Sequence, residues 1–413
     1  MDTALKPLES LRRELPAVAT QVYLNTGTAG PLPLVAARAS ASEAARELRE
    51  GRADFTTWGR FFADLARARE AAARLLGADN DEIALTHHTS EGINIALWGH
   101  DWQAGDRILT TTLEHDAVTI PLGLLRARYG VELDFVAIGR GEQALPALAR
   151  ALGERQARLL VLSHVAYGTG AELPLAELTR LAHAADTAVL VDGAQTCGAR
   201  PLDVHALEVD YYTLSGQKWV CGPEKTGALY VRRDRLATLR PTFASYFSAR
   251  RHDHRGAIEW QPGANRFETG MVYRPALAGF VASARWLLEV VGLERAWARS
   301  LALAARARDG LAALPGVELI TPSEQASQLV AFDLPAFSPP QLWGLAAELA
   351  RRERIVIRAL PHAPFALRAS CGWFNDEADV DRLIEAIARA AARGPDGVVV
   401  DGYGAGLPQS RET

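Results

Sequence analysis

From about residue 80 onward, short runs of β-branched and other apolar residues alternate with longer stretches of helical periodicity, a pattern that few folds accept. The strand candidates are "RILTTTLEH", "ELDFVAI", "RLLVLSH", "AVLVDGA", "DYYTLSG" and "GALYVRR", with "VTIPLGLLRARYG" and "LPLAELTRLAHAAD" as helices between them. Strand, helix and strand in succession signal βαβ units around a mostly parallel sheet, an α/β fold. Strands that are apolar at nearly every residue have no solvent face, so the sheet must be covered on both sides. With 413 residues the chain is long for one core, and one large and one smaller domain are expected.

The region from Pro275 to Gly310 is rich in Ala, Leu and Arg with helical periodicity, which predicts a long helix leaving the large domain. Beyond it "GVELITP", "SQLVAFDLP" and "RIVIRAL" predict a smaller sheet, and "DEADVDRLIEAIARAA" a closing helix. Two domains meeting edge to edge leave a cleft where a small molecule can bind. The Gly-rich tail is expected to be loosely held. A net charge of −4 with both signs interspersed speaks against nucleic acid and anionic membranes as partners. The N-terminus "MDTALKPLESLRRELP" lacks the apolar core of a signal peptide, and a cytoplasmic location is expected. Cys197, Cys221 and Cys371 are too scattered for a disulfide framework or a CxxC metal site and read as reduced, buried thiols.

Two strand ends pose the chemical question. "AVLVD" closes on Asp192, and "DYYTLSG" leads into Gln217 and Lys218. Pyridoxal 5'-phosphate (PLP) needs a lysine for a Schiff base, an acid facing its pyridine nitrogen, donors around its phosphate and a group against its ring. Lys218 and Asp192 supply the first two, although a lone lysine is ordinarily a solvated one and a strand-end Asp is often a helix cap. In "THHTSEGINIALWG" a strand leads into a helix whose first turn, with Thr89 and Ser90, can seat a phosphate or be a plain cap. Ser215 and Gln217 add donors. His115 in "TTLEHDAV" can lie on the ring and relay a proton, or simply pack. Arg368 in "PFALRASCGWF" offers the paired hydrogen bonds that a substrate carboxylate accepts. His252 and His254 have no second ligand cluster, so no metal is expected.

Taken together and in order, "YLNTGTAGPLP", "TSEGIN", "LEHDA", "SHVAYGTG", "VDGAQ", "DYYTLSGQKW" and the run from "RAS" to "FNDEADVDRL" resemble the class V aminotransferase and cysteine desulfurase group of fold-type I PLP enzymes. Within it the text is most similar to the cysteine/cystine C-S lyases. The resemblance implies a large PLP-binding domain over residues 31–280 with a mainly parallel seven-stranded sheet. It implies a small α+β domain from residues 1–30 and 281–394, a tail over 395–413, and a homodimer. It implies Lys218 as the Schiff-base lysine, Asp192 as the pyridinium partner and Gln195 against the phenolic oxygen. His115 becomes the ring-stacking histidine, Thr89 and Ser90 the phosphate loop, and Arg368 the anchor for an amino-acid substrate.

Four departures matter. Gln217 stands where His is common, Tyr167 where desulfurases carry Asn, and Met271 where Thr is usual. The loop "RALPHAPFAL" lacks the cysteine that desulfurases place there, and Cys371 lies on the wrong side of Arg368. The expectation is β-elimination from cystine or cysteine to pyruvate and ammonia. Transamination, another PLP-dependent lyase or desulfurase reaction, epimerisation and a binding-only protein are the alternatives.

Overall fold

The structure is a computed structural model and describes residues 6–53, 55–270, 272–400 and 402. Met271 and residues 401 and 403–413 of the tail lie outside the described residues. The expected strands form one seven-stranded sheet: β1 Ile83–Thr86, β2 Arg107–Thr111, β3 Glu132–Val136, β4 Leu159–Ser163, β5 Ala188–Asp192, β6 Tyr211–Ser215 and β7 Gly227–Val231. Their spatial order is β1-β7-β6-β5-β4-β2-β3, and only β7 runs against its neighbours.

Alternate residues feed two cores. Leu160, Val189 and Tyr212 point to one, while Leu159, Leu190 and Tyr211 point to the other. Every residue of β1, β2, β4, β5, β6 and β7 is buried, and only the edge strand β3 meets solvent. This is the fold-type I α/β architecture expected from the sequence.

The smaller sheet is antiparallel, in the order Glu318–Leu319, Leu329–Asp333, Leu367–Ser370, Arg358–Ala359. Helices Leu293–Ala312 and Glu377–Arg393 cover it, and Val22 and Leu24 from the N-terminal segment join its core. "RIVIRAL" divides: Arg358–Ala359 enters this sheet, whereas Ile355–Val356 pairs in parallel with Val22–Tyr23. Of the tail's described residues, Val398 packs against this core.

The single long helix expected over Pro275 to Gly310 is instead two. Arg274–Trp286 and its wide last turn, Leu287–Val291, meet Leu293–Ala312 at 82°. Burial explains the bend: Trp286, Leu287, Val291 and Leu293 belong to the larger core, and Leu303, Ala304, Ala307 and Leu311 to the smaller. One straight rod cannot serve both. Gly292 makes the corner at φ 79° and ψ 114°, a backbone that side chains adopt only under strain. Among the described residues no single helix is long and apolar enough to cross a membrane.

Gly292→Ala is expected to lose about 1–3 kcal/mol of stability, read as a lower urea midpoint at unchanged slope.

Candidate active site

Parallel strands end at one edge, and there the chosen side chains gather. β5 ends at Asp192, whose Oδ1 accepts from the Ala194 amide at 2.9 Å. β6 ends at Ser215, three residues before Lys218. After β1, His88 caps the helix Thr89–Trp98, its Nδ1 accepting from the Glu91 amide at 3.1 Å. Ser215 fastens that helix to the strand: its hydroxyl lies 2.7 Å from that of Thr89 and accepts from the Thr89 amide at 3.0 Å. After β2, His115 caps the helix Asp116–Tyr129 in the same way, Nδ1 accepting from the Ala117 amide at 3.0 Å. An acceptor Nδ1 puts the neutral ring's proton on Nε2.

From the smaller sheet, Arg368 on the strand Leu367–Ser370 reaches across, and its Nη1 donates to the Tyr167 carbonyl at 3.0 Å. Gln195 is held by three bonds. Its Nε2 donates to the Gly27 carbonyl at 2.9 Å, its Oε1 accepts from the Trp219 indole at 3.0 Å, and its carbonyl accepts from Gln328 at 2.6 Å.

All nine residues picked from the sequence, Lys218, His115, Asp192, Thr89, Ser90, Gln195, Ser215, Gln217 and Arg368, line one cavity of about 1110 Å³ with its open mouth included. Tyr167 lines it too, its ring edge-on to His115 at 4.7 Å. It stands beside that imidazole as a wall, and burial pushes its phenol up to about 12.

Burial dominates the electrostatics. It draws the Lys218 ammonium down to about 8; Asp192 opposes the shift and Arg368 adds to it. The His115 imidazolium is disfavoured by burial and then by Lys218. Arg368, 2% exposed, is drawn down to about 10 by burial and by Arg358. Its Nε has no hydrogen-bond partner and the guanidinium no ion pair among the described residues. The Oε1 of Gln217 is buried without a partner as well. Buried polar groups are rarely left so, and a buried cation least of all.

The sequence reading missed several groups at this cavity. His88, directly before Thr89, caps the helix and lines the wall. Ser163 ends β4 in register with Asp192. Gly27 and Thr28 come from the N-terminal segment, and Leu360 and Pro361 from the loop after Arg358. "THHTSEG" and the turn-rich "LNTGTAG" carried a local signal for the first and third of these. Gly27 fits a tight place: a Cβ there would lie 2.9 Å from both Arg368 Nη2 and Ser370 Oγ.

The strand-edge site on a seven-stranded α/β sheet defines a class, and comparison with known proteins gives the family. The model of the Aminotransferase class-V family matches residues 23–383. The chain belongs to that family. A cysteine desulfurase of Cronobacter sakazakii is 31% identical over 335 residues, 78% of this chain and 81% of the relative. Among solved structures, a lysine-to-alanine mutant of C-DES with glycine covalently linked to its PLP cofactor superposes with a TM-score of 0.86 at 31% identity, covering 91% of this chain and 98% of that one. The cystine C-S lyase C-DES with its reaction product cysteine persulfide gives 0.85 at 30% identity, covering 91% and 99%.

Amine labelling of the cofactor-free chain should titrate at Lys218 with a midpoint of about 8. Because the Asp192 carboxylate favours the ammonium, Asp192→Asn should move that midpoint lower. A midpoint in the ordinary lysine range, about 10.4, would contradict the buried amine.

Proposed function

We propose that this chain is a PLP-dependent C-S lyase that cleaves cystine, or cysteine, by β-elimination to pyruvate and ammonia. The observation that carries the reading is Arg368, a buried guanidinium without an anionic partner, in one cavity with Lys218 and Asp192. An amino-acid carboxylate accepts two parallel hydrogen bonds from such a group.

The other residues fit PLP. An amine drawn toward neutrality, an acid, a helix N-terminus with paired hydroxyls and the Gln217 side chain, whose amide nitrogen can donate, line the wall. When bound, PLP supplies a sink for the electron pair left on the substrate's α-carbon. Lys218 would hold the cofactor covalently and, once the substrate amine displaces it, take the α-proton. Burial brings that amine within reach of physiological pH, so that its neutral form, the one a base requires, is populated far more than on an ordinary lysine. Asp192 would face the ring nitrogen, and its negative charge would keep that nitrogen protonated. His115, neutral, would pack on the ring face. Gln195 has given one N–H to Gly27 and keeps its second for the phenolic oxygen. Thr89, Ser90, Ser215 and Gln217 would seat the phosphate, with the helix dipole behind them.

The cysteines argue for elimination over desulfuration. Cys197, Cys221 and Cys371 are all buried, and none lines the cavity. Burial pushes the thiols of Cys221 and Cys371 up to about 12 and that of Cys197 higher still, so a nucleophilic thiolate is disfavoured at each. Sulfur would therefore leave on the product rather than on the protein. The reading includes residues 31–280 as the cofactor domain, with 1–30 and 281–394 closing over it. It also includes a cytoplasmic location and a homodimer; the exposed Phe55, Trp58, Phe62 and Tyr246 support the association, which sedimentation would measure.

Purified protein given cystine should release pyruvate and sulfane sulfur in equal amounts. Lys218→Ala should lower turnover by about 10²–10⁴-fold or more. Arg368→Lys should raise KM roughly 10- to 100-fold, the worth of about 1.5–3 kcal/mol for hydrogen bonds to a charged group. Single Cys→Ala variants should keep turnover. A keto-acid requirement would point to transamination instead, and a variant silenced by loss of one cysteine would point to desulfuration.

A further inference from the structure

Behind the cavity wall lies a buried acid that the reaction above does not use. Glu114, between the end of β2 and His115, is 8% exposed. Its Oε1 accepts from the Thr111 hydroxyl and its Oε2 from the Ser163 hydroxyl, each at 2.6 Å. Ser163 lines the cavity and pairs in register with Asp192, so this carboxyl group ties β2 to β4 directly behind the site.

The titratable groups that act on Glu114 are Asp192 from β5 and, through a mutual interaction, Tyr167 from the segment after β4; His115 follows it in the chain. Among the described residues it has no salt-bridge partner. Burial, reinforced by the like charge of Asp192, raises its carboxyl from 4.5 to about 7 against the pull of the two hydroxyls and the Ser163 backbone amide.

We infer that Glu114 and Ser163 form a hydrogen-bond switch, with Glu114 a positioning residue whose protonation state is passed to the cavity wall and to Asp192 through the Ser163 hydroxyl. When Glu114 is ionised, both hydroxyls donate to it and a second negative charge stands behind Asp192. When it takes up a proton from solvent it becomes a donor. A hydroxyl oxygen can accept twice, but that of Thr111 already accepts from the Leu113 amide at 3.2 Å while among the described residues nothing donates to that of Ser163, which makes Ser163 the better acceptor and the hydroxyl that reverses. Ser163 then accepts from Glu114 and turns its own hydrogen toward the cavity. The consequence for a bound ring nitrogen rests on the PLP reading; the switch itself does not.

The test uses the full chain with and without PLP. In the cofactor-free chain, an infrared titration should show a protonated-carboxyl band that disappears as pH rises through about 7 and is absent from Glu114→Gln. Ser163→Ala removes a donor to the carboxylate and should move that transition upward. A folded pKa above the ordinary one gives stability that is full below 4.5 and lost as pH rises through about 7. The melting temperature of Glu114→Gln should therefore gain on the wild type across that window. With PLP bound, the wild type should show a visible-band and kcat/KM transition in the same window that Glu114→Gln lacks. No carboxyl band in the wild type, a band unmoved by Ser163→Ala, or identical pH profiles in Glu114→Gln and wild type would overturn the switch. If no PLP binds, the lyase reading falls, and the infrared titrations still decide the switch.

Discussion

Neighbouring strands that run the same way must finish at the same edge of their sheet, and β2, β4, β5 and β6 are such a set. The chain leaves that edge through His115, Ser163, Asp192 and the segment from Ser215 to Lys218. Parallel pairing thus brings residues 115, 192 and 218, far apart in sequence, to one edge. The strands themselves are buried on both faces, so their only chemical freedom lies at their ends.

An edge alone is an open shelf. The second sheet closes it by carrying Arg368 over the shelf on a strand buried between two others, and the N-terminal segment fills the remaining side with Gly27. Rigidity follows from the bonds that cross this boundary. Arg368 holds the Tyr167 carbonyl, Gln195 holds the Gly27 carbonyl, and Gln328 holds the Gln195 carbonyl. Each joins residues more than a hundred positions apart. The bend at Gly292 is what lets one stretch of chain belong to both cores.

Legibility in the sequence follows the range of the interactions. Lys218, Asp192 and His115 could be read because each ends a strong β-rich run, and parallel order then puts them side by side. Thr89 and Ser90 could be read because a helix start has a local chemistry. The corner at Gly292 could not: Ala-, Leu- and Arg-rich periodicity continues on both sides, and only the partition of Trp286 and Leu303 between two cores dictates a break. Nor could Gly27, whose need for a missing side chain exists only because a Cβ there would lie 2.9 Å from Arg368 and Ser370 side-chain atoms. Glu114 reads as an ordinary acid beside a histidine until burial and its two hydroxyl partners are known.

The distribution of charge also orients a ligand. Around the start of the helix Thr89–Trp98 the cavity offers dipoles: the helix N-terminus, the paired Thr89 and Ser215 hydroxyls and the Gln217 amide. Arg368 lines it too, reinforced by Arg358 on the neighbouring strand. Lys218 shares the wall, with its charge weakened by burial and its proton favoured by Asp192. A guanidinium pairs two oxygens in one plane and a helix N-terminus cradles a tetrahedral group, so the proposed ligand's carboxylate would match Arg368 and its phosphate the helix start. Reversing the ligand would set the phosphate against a fork shaped for two oxygens and leave the carboxylate to hydroxyls. It would also carry the ring nitrogen away from Asp192. The same burial that draws the Lys218 amine toward neutrality makes that reversal costly, since charges mismatched in a low-dielectric cavity are not rescued by water.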